Sequence, residues 1–139
     1  MANERLSWSG DNWRGPKDMG TCSLGTGWAT VGSAFALGGA RYLNAFVDLT
    51  INTNTDARFR LQGLYESGGS AYALPIATAS ADVIKVEDEY IELNVDADQR
   101  QSLVWELYGV YPYGRLQACV GSAGGTAATI DHCFLVSSL

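Results

Sequence analysis

Tyr42-Leu-Asn-Ala-Phe-Val-Asp-Leu-Thr-Ile-Asn52 is the stretch that decides the fold. Leu43, Ala45, Val47, Leu49 and Ile51 fall at every second position and share one face. Tyr42, Asn44, Asp48, Thr50 and Asn52 share the other. Side chains of a β-strand point alternately to its two sides, so this pattern predicts a strand with one buried and one wet face. Phe46 breaks the pattern: a large ring on the wet side, it marks either ordinary surface or a contact with a partner.

Working outward, Asn52-Thr-Asn-Thr-Asp56 is a turn cluster, and alternation resumes over 57–65. There Phe59, Leu61 and Tyr65 oppose Arg58, Arg60 and Gln62. Two adjacent alternating runs joined by a short polar loop read as a β-hairpin over 42–65. Further runs follow at short spacing: Tyr72–Ile76, Val83–Val86, Tyr90–Val95, 101–109, 115–121 and 129–136, separated by Gly-, Asp- or Pro-containing turns. In the last, Ile130, His132, Phe134 and Val136 share a face. Upstream, Trp28–Leu37 is a weaker strand interrupted by Gly32.

About eight short strands and no amphipathic helix define an all-β, antiparallel β-sandwich, jelly-roll-like, with an immunoglobulin-like sandwich as the second choice. The expected core is Leu43, Val47, Leu49, Ile51, Leu61, Ile91, Leu93, Leu103, Trp105, Leu107, Leu116 and Phe134. Residues 1–27 read differently. They are polar, are punctuated by Gly10, Gly15, Gly20, Gly25 and Gly27, and carry Trp8 and Trp13. This predicts two parts, an extended, irregular N-terminal arm over 1–27 and a sandwich domain over 28–139. The two indoles either fold back on the arm's own domain or dock on a neighbouring subunit.

Composition narrows the function. The 139 residues are 47% hydrophobic and 17% charged, which suits a single folded domain with a real core and not a disordered chain. A net charge of -6 disfavours a general nucleic-acid binder, which needs a basic face. No apolar run is long enough to span a bilayer, and the polar start carries no secretory signal, so assembly in a cytoplasm is expected. Cys22, Cys119 and Cys133 are widely spaced, with no Cys-x-x-Cys pair, so no metal or cofactor is expected. Cys119 and Cys133 lie on candidate neighbouring strands.

A catalytic set is hard to assemble from these residues. His132 is the single histidine, and in a regular strand Asp131, His132 and Cys133 point to alternate sides. The carboxylates at Glu87-Asp88-Glu89 and Glu92 read as a solvated strand end, although a carboxylate pair is also the apparatus of glycoside hydrolysis. Asn94, Asp96 and Asp98 are too few oxygen ligands for a calcium site. Gly121-Ser-Ala-Gly-Gly-Thr126 lacks the Lys-Ser/Thr ending of a phosphate loop and reads as a tight turn. The chain is therefore expected not to be an enzyme. What remains is aromatic: Tyr108, Tyr111 and Tyr113 with Arg115 are candidates for a stacking or partner-binding surface, alongside Trp8, Trp13 and Phe46.

The runs Ala40–Ile51, Tyr90–Val95, Trp105–Tyr108 and Tyr113–Gly121, with the Gly-rich turn before the last strand, resemble small β-sandwich virion proteins of tailed bacteriophages, in particular capsid decoration (cement) proteins. The resemblance is one of pattern over most of 28–139 and rests on no diagnostic motif. It implies a non-enzymatic structural protein of the virion, assembled in the bacterial host cytoplasm. It also implies a homo-oligomer, a trimer, that binds the major capsid protein or another virion protein and stabilises the head lattice. Neither nucleic acid nor membrane is an expected partner. The alternative is a receptor- or carbohydrate-binding jelly roll of a tail or tail fibre.

Overall fold

The computed structural model describes residues 16–37, 40–64, 71–73, 84–86, 90–93, 98–107 and 112–138, with 71–73 and 84–86 as backbone alone. These residues form strands and no helix: β1 (Lys17–Asp18), β2 (Cys22–Leu24), β3 (Ala29–Thr30), β4 (Phe35–Ala36), β5 (Tyr42–Thr50), β6 (Thr55–Leu64), β7 (Ala71–Ala73), β8 (Ile84–Val86), β9 (Ile91–Leu93), β10 (Gln99–Glu106), β11 (Tyr113–Ser122) and β12 (Ala128–Ser138).

Four antiparallel pairs join early strands to late ones like the rungs of a ladder: β2 with β12, β3 with β11, β5 with β10 and β6 with β9. The rungs fall alternately on two sheets. Rolling the ladder up brings β5 against β12 and β6 against β11. Sheet A then runs β2-β12-β5-β10, with β1 also on β12; sheet B runs β3-β11-β6-β9-β8, with β4 on β11 and β7 on β6. This is the strand order of a jelly roll, two interlocked Greek keys.

The order corrects the hairpin expected over 42–65. β5 and β6 are consecutive and both amphipathic, but they lie in different sheets. The turn between them, with Asn52 at φ 56°, carries the chain across the sandwich, and Asp56 near the start of β6 also has a positive φ of 60°. Each strand buries its apolar side against the other sheet, which alternation alone does not distinguish from a hairpin lying in one sheet.

The boundary expected at residue 27 is also corrected. β1 and β2 pair with β12, the Met19 N–H donates to the Cys133 carbonyl at 2.8 Å, and Met19 and Leu24 are buried in the core. The glycines permit this: Gly20 at φ 79° turns the chain between two short bridges that satisfy the backbone on β12's free edge. The sandwich thus begins by Lys17. Trp8 and Trp13 lie outside the described residues. The strand expected over 28–37 is likewise two short pieces, β3 and β4, broken at Gly32, where φ is 69° and an added Cβ would meet Met19.

Between the sheets, Trp105, Phe35, Phe59, Leu43, Leu61, Leu103 and Leu93 are fully buried, each worth about 1.5–3 kcal/mol of apolar transfer. Every residue of the expected core is buried except Phe134. The ladder between β12 and β5 shifts register between Ile130 and His132, a β-bulge. Past it, Cys133 and Leu135 point inward, and Phe134 faces out. One extra residue in a strand exchanges the two faces beyond it.

The Gly-rich turn before β12 serves the fold. Gly124 and Gly125 N–H groups donate to Asn54 Oδ1 and Thr53 Oγ1, both at 3.0 Å. Asn54 Nδ2 donates to the Ile51 and Thr126 carbonyls, and Asn52 Nδ2 to that of Ala127. A Cβ on Gly124 would overlap Thr53, so the two turns clasp only with glycine there.

Candidate functional site

The outer face of sheet A collects the aromatic residues that the core does not use. Register places Phe134 of β12 opposite Phe46 of β5, and Phe46 opposite Ser102 of β10. The next row is His132, Asp48 and Arg100; on the other side come Val136, Asn44 and Val104. Phe46 is 43% exposed and Tyr42 37%, the two large apolar side chains left open among the described residues. His132 and Phe134 are stacked, with ring centroids 6.3 Å apart and planes 10° from parallel. The bulge causes this, because without it the two rings would face the core. With Phe46 they line a shallow groove of about 520 Å³, whose rim carries Asp48, Arg100 and Ser102.

The rim is internally ordered. Arg100 Nε donates to Asp48 Oδ1 at 2.8 Å, while the Arg100 side chain stays 87% exposed. Ser102 Oγ donates to Asn44 Oδ1 at 2.9 Å. Asp131, the other bulged residue, also lies outward, which corrects the expectation that Asp131 and His132 face opposite ways. Its carboxylate accepts from the hydroxyls of Thr50 and Thr129. Those bonds, Thr50's first, hold its pKa below the ordinary carboxylate value. Cys133 points the other way, into the core, and burial pushes its thiol up to about 12. Asp131, His132 and Cys133 therefore do not converge.

The outer face of sheet B holds the other candidates. Glu92, expected on a solvated strand end, is buried and accepts from Arg58 Nε at 2.8 Å, which raises the Arg58 pKa. Arg60 Nε and Nη2 donate to Gln117 Oε1 at 2.9 and 2.6 Å, under the Trp28 ring at 4.3 Å. Gln117 Nε2 donates onward to Thr30 Oγ1 at 3.2 Å. Arg58 sits 5.2 Å from the Tyr90 ring centroid, and Tyr90 is 5.9 Å from Trp28. Arg115 donates twice to Gln62 Oε1, and Tyr113 is half-buried opposite Leu64. The stacking surface expected from the tyrosines is thus described only at Tyr113 and Arg115, with Arg115 held by Gln62; Tyr108 and Tyr111 lie outside the described residues.

Cys119 belongs to sheet B's outer side opposite Arg58, and Cys133 to sheet A's inner side opposite Val47. They are not neighbours, and all three cysteines are free thiols. Asp98 Oδ1 accepts from the Ile51 N–H at 2.9 Å, and no cluster suited to a metal occurs among the described residues. No described helix is long and apolar enough to cross a membrane.

Of the residues singled out from sequence, Phe46 is the one the structure sets in a groove. Phe134, His132, Asp48 and Arg100 were missed as its companions. The available signal was the polar doublet Asp131-His132 within an otherwise apolar strand, where a bulge accommodates two outward residues in succession. No family model, curated protein or solved structure matches the chain.

Proposed function

We propose that this chain is a non-enzymatic structural protein of a phage particle, a capsid decoration protein that attaches to the head lattice through its N-terminal segment. One observation carries the reading. Of the four tryptophans, Trp105 is consumed by the core and Trp28 by the Arg60 stack, whereas Trp8 and Trp13 precede β1, an edge strand. A segment joined at a sheet edge would extend to a neighbour without disturbing the sandwich, and indoles would supply large apolar area to such a contact. A homotrimer would present three such segments as one body and convert modest individual contacts into tight attachment.

Co-sedimentation of the full-length chain with phage heads lacking it tests the proposal. A Trp8→Ala/Trp13→Ala chain is expected to fold and oligomerise as wild type and to lose sedimentation with the heads. Undiminished binding would remove the segment from the attachment, and unfolding would assign the two indoles to the sandwich itself.

A further inference from the structure

We propose that the groove on the outer face of sheet A is a binding site for a neutral hexopyranose, with Phe46, Phe134 and His132 as its floor and the Asp48–Arg100 pair as its grip. This goes beyond attachment to a particle and concerns the described outer face of sheet A.

The floor comes first. His132 and Phe134 project from alternate positions of one strand with their rings stacked, planes nearly parallel and centroids 6.3 Å apart, and Phe46 stands directly across from Phe134. The exposed ring of Phe46 beside this stacked pair suits the face of a pyranose that presents C–H groups, whose partial positive charge meets a negative ring face. The volume of about 520 Å³ is in the range for a small ligand.

The rim supplies the second requirement. Asp48 and Arg100 form a fork, with a carboxylate acceptor beside a guanidinium donor. Neighbouring sugar hydroxyls each donate and accept, so a vicinal pair satisfies such a fork with one hydroxyl donating to Asp48 and the other accepting from Arg100. An exposed ion pair contributes little to stability, so its position beside the rings gains little for the fold itself.

Charge selects among sugars. Asp48 and Asp131 lie in or next to the rows that form the groove, and the chain carries a net charge of -6. A sialic acid, uronic acid or phosphosugar would meet repulsion there, while a neutral hexose would not. The alternative occupant, a second copy of this chain, would leave the exposed fork without a purpose.

The experiment is a ¹⁵N NMR titration of the full-length chain with methyl β-D-galactopyranoside and, separately, methyl β-D-glucopyranoside. Resonances of Phe46, His132 and Phe134 are expected to move with a dissociation constant on the order of 1 mM for at least one of them. Phe46→Ala and Asp48→Asn are each expected to weaken binding by about tenfold or more, and Phe46→Tyr to retain it, with unchanged spectra for the Trp105 core in every variant. No shift with either sugar at about 100 mM, or shifts unaffected by Phe46→Ala, would overturn the assignment. So would a fall in oligomer mass on Phe46→Ala, which would make the face a subunit contact. Particle attachment is scored separately by the Trp8→Ala/Trp13→Ala chain, so either proposal can fail without the other.

Discussion

The two sheets of this sandwich share one core but treat their outer faces in opposite ways. Sheet B closes its own. Arg58, Arg60 and Arg115 are each matched to a carboxylate or amide on a neighbouring strand, and Trp28 and Tyr90 stack on the first two guanidinium groups. Gln117 and Glu92 are buried as a result. Sheet A leaves its outer face open, with Phe46 exposed opposite Phe134 and an ion pair whose arginine is almost wholly in water. A face whose polar groups are consumed by each other is part of the fold. A face with exposed rings and an uncovered ion pair is available to something else.

That contrast can be broken at several places. The largest effect belongs to the core that both faces share. Trp105→Ala should cost about 3–5 kcal/mol by cavity formation, measured by urea unfolding. Trp105 Nε1 has no hydrogen-bond partner among the described residues, so Trp105→Phe should cost much less than the volume lost implies, since it also removes a buried unsatisfied donor.

Next comes sheet B. Arg58→Ala leaves the buried Glu92 carboxylate without its partner. The expected loss is about 1–2 kcal/mol, below the range for a fully buried pair because the Arg58 side chain is a third exposed. Arg58→Ala/Glu92→Leu should recover much of it, since removing both charges removes the desolvation cost as well. Equal losses in the single and double variants would show that the pair does not close this face.

A smaller effect lies in the pH dependence of sheet A. The Asp131 pKa is lowered in the folded protein by Thr50 and Thr129. A lowered carboxylate pKa contributes stability that is present above the unfolded value, about 4, and is lost as pH falls through the folded value. Asp131→Asn should therefore flatten the acid limb of the stability curve and leave its slope near neutrality unchanged. An acid limb identical to wild type would remove Asp131 from the account.

These differences also explain what could be read from sequence. The alternation of 42–52 is legible because Leu43, Ala45, Val47, Leu49 and Ile51 all bury against a single opposing sheet. The assignment of β5 and β6 to different sheets is not, because it depends on pairing with strands far along the chain, β10 and β12 for β5 and β9 and β11 for β6. The bulge at Asp131-His132 is hidden for a related reason. Cys133 and Leu135 form as good an apolar set as Phe134 and Val136, and only the partner strand decides which one turns inward. Since that choice puts Phe134 and His132 beside Phe46, the groove was visible from the sequence as a lone exposed phenylalanine. β1 to β4 are two or three residues long and exist because β11 and β12 offer them edges, so no local pattern announces them.

The most direct test of the contrast between the faces is a thermal melt of the full-length chain carrying Phe46→Ser beside one carrying Arg58→Ala. If sheet A's outer face is free of any structural task, Phe46→Ser should change stability by no more than about 0.5 kcal/mol, a shift of about 2 °C or less in Tm. Arg58→Ala should lower Tm by several degrees. A Phe46→Ser chain that melts well below the Arg58→Ala chain would contradict the account, because the open face would then be holding the protein together.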